Sequence, residues 1–79
     1  IEKQNDVAIS NAASGTAIRL VKPFRGISSV SITALQTTTN PNVVTAVVKA
    51  KTTSSVTVSC LNSSGNPVAG EVDITVIGF

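Results

Sequence analysis

The chain predicts an all-β fold, a small antiparallel β-sandwich of about six strands, and three observations carry that prediction. Apolar and polar residues alternate with period two in several windows, as in strands with one buried face. No window shows a helical period, and β-branched residues and Ser dominate every apolar stretch. Clusters of Asn, Ser, Gly and Pro punctuate the alternating runs at regular spacing.

Taken in order, Ile1 to Asp6 is polar and reads as a linker or the end of a preceding element, which leaves residues 7–79 as a single domain. Val7 to Ser10 is a short strand with Val7 and Ile9 inward, and Asn11 to Gly15 is a turn in which Gly15 supplies a positive φ. Thr16 to Lys22 is a strand with Ile18 and Leu20 on one face and Arg19 and Val21 on the other, stopped by Pro23, which lacks a ladder donor. After the corner Phe24-Arg25-Gly26, the run from Ile27 to Leu35 puts Val30, Ile32 and Ala34 inward and Ser29, Ser31 and Thr33 outward.

A polar loop, Gln36 to Asn42, leads to Val43 to Ala50, a strand apolar on both faces. The last stretch, Thr53 to Phe79, holds the two clearest runs. Val56, Val58 and Cys60 alternate with Thr57 and Ser59, and Val72, Ile74 and Val76 alternate with Asp73 and Thr75. Joined through Asn62-Ser63-Ser64-Gly65-Asn66-Pro67, they predict a terminal β-hairpin.

Composition bounds the function. A domain of 79 residues removes only about 60% of its unfolded surface from water, so it needs a staple or a partner. The single cysteine excludes an intrachain disulfide, and the absence of His argues against a structural metal, which leaves oligomerisation. Val21, Val43, Val47 and Ile77 fall on the second faces of their strands and form the expected interface between copies.

Charged residues are 13% of the chain, against roughly 25% in ordinary domains, while Ser and Thr supply 20 of the 79 residues. The net charge of +2 is too small to imply nucleic acid, and no apolar run approaches the roughly 18 residues a membrane-spanning helix needs, so neither nucleic-acid binding nor membrane insertion is expected. With Ile1 at the start and no Met, the sequence reads as a piece of a longer polypeptide.

No enzymatic chemistry is expected, because a Ser nucleophile without His needs a base held close by and no spacing marks such a pair. Glu71 and Asp73 share a face two residues apart and read as solvated outward positions. Cys60, in phase with Val56 and Val58, reads as a small buried hydrophobe. Asn62-Ser63-Ser64 fits both a glycosylation sequon and a plain turn, and the turn is the simpler reading. Phe24 and Phe79 are plugs at strand ends. No cofactor or metal is expected. The best recognition surface is the polar loop, with Gln36, Thr37, Thr38, Thr39, Asn40 and Asn42 as contacts, joined by Arg19 and Arg25 from a modest basic patch around Lys22.

From Pro23 onward the order of features resembles a trimeric β-sandwich module at the ends of bacteriophage tail fibres, close to the H-type lectin fold. The resemblance rests on Pro23-Phe24 entering the strand Ile27 to Thr33, the apolar strand Val43 to Ala50, the run Ser54-Ser55-Val56-Thr57-Val58-Ser59, and the ending Val72-Asp73-Ile74-Thr75-Val76-Ile77-Gly78-Phe79. Ile74 stands where a lectin-like strand often places an aromatic, and His and Tyr are missing, so the resemblance implies trimeric architecture more than a sugar site. It implies a non-enzymatic, extracellular virion domain, a homotrimer at a tail-fibre or tail-tip end that recognises a host-surface receptor, protein or glycan. Two other readings stay open: a purely structural trimerisation module, and an immunoglobulin-like repeat of a bacterial adhesin, which the segment Asn62 to Val72 resembles.

Overall fold

The computed structural model describes the backbone of all 79 residues and every side chain except that of Ser28. It is all-β, with seven strands: β1 (Glu2–Ile9), β2 (Thr16–Arg19), β3 (Ile27–Leu35), β4 (Thr45–Lys51), β5 (Ser55–Leu61), β6 (Pro67–Val68) and β7 (Gly70–Gly78). They form two antiparallel sheets, one ordered β1-β7-β3 and the other β2-β5-β4, with the short β6 also paired to β5. The sheets stack as a small sandwich, as the alternation predicts.

The middle strand of each sheet supplies the core. Val56, Val58 and Cys60 of β5 and Val72, Ile74 and Val76 of β7 are buried, and Ile9, Ile18, Leu20 and Val43 close the space around them. Burial of a Val or Ile side chain contributes about 1.5–3 kcal/mol, so these ten residues dominate folding. Cys60 behaves as the small hydrophobe its phase implies, and burial pushes its thiol pKa up.

The terminal hairpin is corrected. β5 and β7 are not partners; they face one another across the core as the central strands of opposite sheets. The hairpin mate of β5 is the two-residue β6, with Cys60 opposite Val68 and Leu61 opposite Pro67. Asn62 closes that turn, its Oδ1 accepting from the Ser64 and Asn66 amides, while Gly65 takes a φ of 78°. The turn is therefore local, and Ala69 carries the chain to the other sheet. Each run buries its apolar face against the opposite sheet, so period two reports the burial and not which strand lies alongside.

The expected linker at residues 1–6 is also corrected, since β1 begins at Glu2 and pairs with β7 from Glu2↔Val76 to Ile9↔Gly70. Its polar look reflects an edge strand broken by a bulge between Gln4 and Val7, where Asp6 takes a φ of 56° that Asp tolerates better than most residues. Glu2 then anchors the entry: its carboxylate accepts from the Val21 amide at 3.0 Å and from Gln4 Nε2 at 2.6 Å.

β2 ends three residues earlier than expected, at Arg19, although Leu20 continues inward and is buried. The β3 limits match the sequence reading, with Ser29, Ser31 and Thr33 exposed. β4 starts at Thr45, two residues later than expected, and is bulged between Val48 and Ala50. Gly15 takes its positive φ, 91°, where a Cβ would meet Thr57 Cγ2 at 2.8 Å.

Candidate functional site

Strand directions gather the connections at two ends. The segments 10–15, 36–44 and 62–66 all lie at the end where Ile9 and Leu35 flank Gly70 and Glu71 and where Thr45 faces Leu61. The opposite end holds both termini, the β2–β3 corner and the β4–β5 turn, with Phe79 paired through its backbone to Gly26. The long axis of the domain is 35 Å.

At the first end the expected recognition loop is a built structure. Gln36 Nε2 donates to the Pro41 carbonyl at 2.7 Å, and the Asn40 amide donates to Thr37 Oγ1 at 2.9 Å. Val43 is buried at its far end, and the Val44 amide donates to Leu61 O at 2.9 Å. Thr37 and Asn40 thus act as internal struts, partly buried, while Gln36, Thr38, Thr39 and Asn42 present their surfaces outward.

The sequence reading did not single out the neighbours of this loop. Asn11 and Ser14 from one connection and Ser63, Ser64 and Asn66 from another lie exposed at the same end. Among the residues of the three connections none is charged: SNAASG, QTTTNPNVV and NSSGN hold only amides, hydroxyls and small apolar groups. The missing charge was visible in the sequence, but only the topology brings the three stretches together. Such a surface recognises a partner through neutral hydrogen bonds on a rigid scaffold.

Arg19 and Arg25 do not join it. Arg19 pairs with Ser55 beside the β4–β5 turn, and Arg25 lies in the corner at the terminal end, so the structure separates them from the loop by most of the domain's length. Lys3 and Lys51, opposite Thr75 and Val56, lie toward that end too.

The expected interface quartet also comes apart. Val43 is a core residue, 3% exposed, because it fills the space over Gly70. Val47 pairs with Ser59 and points away from the core on the outer face of the β2-β5-β4 sheet, whereas Ile77 lies on the outer face of the other sheet. Val21 projects from the terminal end, 86% exposed. The four therefore form no common seam.

A different opening is present at the side. β3 and β4 are edge strands of different sheets, with no ladder between them. The result is a groove of about 300 Å³ lined by Val30, Val48, Lys49, Ala50 and Lys51, continued by a smaller hollow bordered by Ile27, Lys51, Thr52 and Thr53. It is open and shallow. Among the described residues no group of His, Cys, Asp or Glu could hold a metal ion, and no helix is long and apolar enough to cross a membrane. The chain matches no family model, no curated protein and no solved structure.

Proposed function

We propose that this domain is a non-enzymatic attachment module of a virion tail fibre, extracellular and homotrimeric, whose three uncharged connections at one end recognise a host-surface receptor. The observation that carries the reading is the braced loop Gln36 to Asn42, held on a rigid sandwich next to two other uncharged connections and at the end opposite Ile1. A polypeptide arriving at Ile1 would join at the far end and leave the loop end pointing outward. Three copies would present the same weak hydrogen-bonding surface, and their affinities would combine through avidity.

The homotrimer is supported by the size of the domain, which has one thiol, buried and free, and no other covalent staple. The tail-fibre setting rests on the resemblance in the pattern of sequence features from Pro23 onward.

The test uses fluorescently labelled domain on a panel of bacterial cells, with light scattering on the same samples. Wild type is expected to bind cells of at least one strain as a trimer, and T38E/T39E/N42E is expected to stay trimeric and lose binding. Equal binding by the variant would reduce the domain to a purely structural trimerisation module. A monomer would remove the trimer and favour an adhesin-like repeat.

A further inference from the structure

The groove between β3 and β4 and the outer face of the β1-β7-β3 sheet are complementary in charge. Lys49 and Lys51 border the groove, two residues apart on an exposed strand. Glu71 and Asp73 project from the outer face of β7, also two residues apart, since Val72 and Ile74 between and beside them point into the core. The two pairs are opposite in sign, with Lys49 set at the bulge of β4 and Glu71 and Asp73 on a regular stretch of β7. The Asp6 amide donates to Asp73 Oδ1 at 2.9 Å and fixes that carboxylate on the face.

The surroundings fit close approach. Around the carboxylates the outer face carries the exposed Ala8, Ser31 and Thr33, with the half-buried Leu35 opposite Glu71 and Lys3 further along, opposite Thr75. Around the lysines, Val48 is 38% exposed and Val30 is half-buried, an apolar strip that water covers in a single copy. The two ends of the domain fit a second copy less well. The three connections at the loop end carry no charge to pair, and the terminal end would bring Lys3, Arg19, Lys22 and Arg25 of several copies together.

We propose that three copies close into a ring through one repeated head-to-tail contact, the Lys49/Lys51 rim of one copy docking on the Glu71/Asp73 face of the next. The contact is heterologous, using two different patches, so it generates a ring if the rotation closes. A standard contact covers about 800 Å² per partner, and two such patches per copy would take roughly a third of the 4699 Å² surface. The exposed edge of β4 would be covered at the same time, which removes a hazard of unpaired strand edges. This inference rests on the homotrimer reading and adds the surfaces that build it.

Charge reversal tests it. The four side chains lie outside the core, and circular dichroism on each variant checks that the fold is kept. Light scattering over a dilution series is expected to give a trimer for wild type, and a dissociation concentration raised on the order of tenfold or more for K49E/K51E and for E71K/D73K, where like charges face one another. E71K alone, which keeps the Asp6–Asp73 hydrogen bond, should shift it in the same direction. The fourfold variant K49E/K51E/E71K/D73K restores opposite signs at every contact and should recover the trimer. Trimers unchanged in both double variants, or a folded fourfold variant no tighter than they are, would overturn the assignment. A monomeric wild type would instead defeat the homotrimer reading on which it rests.

Discussion

Gly70 is the floor on which Val43 sits: a Cβ at residue 70 would lie 2.6 Å from Val43 Cγ2 and 3.1 Å from Cys60 Sγ. Gly70 opens β7 and is itself buried. The recognition loop reaches the core through Val43, so one hydrogen atom at residue 70 fixes where that loop is fastened. Gly70→Ala is expected to destabilise the domain by about 1–3 kcal/mol, the range for overpacking a filled core. Gly70→Ala with Val43→Ala should regain part of that loss, because the methyl groups of Val43 are what the new side chain meets. Thermal unfolding of both variants measures it.

Glu2 gives the fold a dependence on acid. Burial raises its pKa, but hydrogen bonds from the Val21 amide, the Gln4 side chain and the Lys22 amide, with the N-terminal ammonium nearby, outweigh it and leave the pKa below the usual Glu value. The ionised form is thus favoured in the folded state. The stability it contributes is present above the ordinary Glu value and is lost as pH falls through the lowered one. Wild type should melt higher than Glu2→Gln at neutral pH, and the difference should shrink as pH falls below the ordinary Glu value. A difference that does not change with pH would count against this role.

Ser59 is 1% exposed, and its Oγ has no hydrogen-bond partner in the protein. An unpaired buried hydroxyl costs about 1–3 kcal/mol, so Ser59→Ala should be neutral or stabilising, against the usual sign for a buried substitution. Chemical denaturation, with the slope compared between the two proteins, is the check.

Cys60 is buried with a raised thiol pKa, so the reactive thiolate is scarce as well as hidden. A thiol reagent at mildly alkaline pH should label it at the rate at which the domain opens, and at once in denaturant. Rapid labelling of the folded protein would mean that the core is looser than its packing indicates.

Asn62 holds the β5–β6 turn through two amide bonds to its Oδ1, each 3.0 Å long. Asn62→Ala is expected to cost about 1 kcal/mol, since a typical net hydrogen bond contributes that much and the partner amides can turn to water. Unfolding midpoints of the two proteins decide it.

The sequence made the fold class legible because period two survives wherever one face is buried. It placed Val56, Val58, Cys60, Val72, Ile74 and Val76 inward, and all six are buried. The partner of each strand was not legible, since both β5 and β7 carry the same alternating signal, and a two-residue β6 is too short to show one. Val43 was misjudged for a related reason: it stands outside the strand, so counting alternate residues from the strand assigned it to the wrong face. The loop Gln36 to Asn42 was readable from its polarity, whereas its internal struts, its neutral neighbours and its distance from Arg19 and Arg25 depend on topology.

The placement of β7 between β1 and β3 has a consequence for the order of events during synthesis. β1 and β3 both wait for residues 70–78, which are made after them, before either finds a hydrogen-bonding neighbour in their sheet. Nearly every pairing in that sheet is long in sequence, which makes closure slow and leaves early segments open while translation proceeds. The charged and amide side chains of residues 2–6 in β1, and Ser29, Ser31 and Thr33 on one face of β3, give those waiting strands a polar surface, so the residues that face outward in the finished sheet also serve the nascent chain.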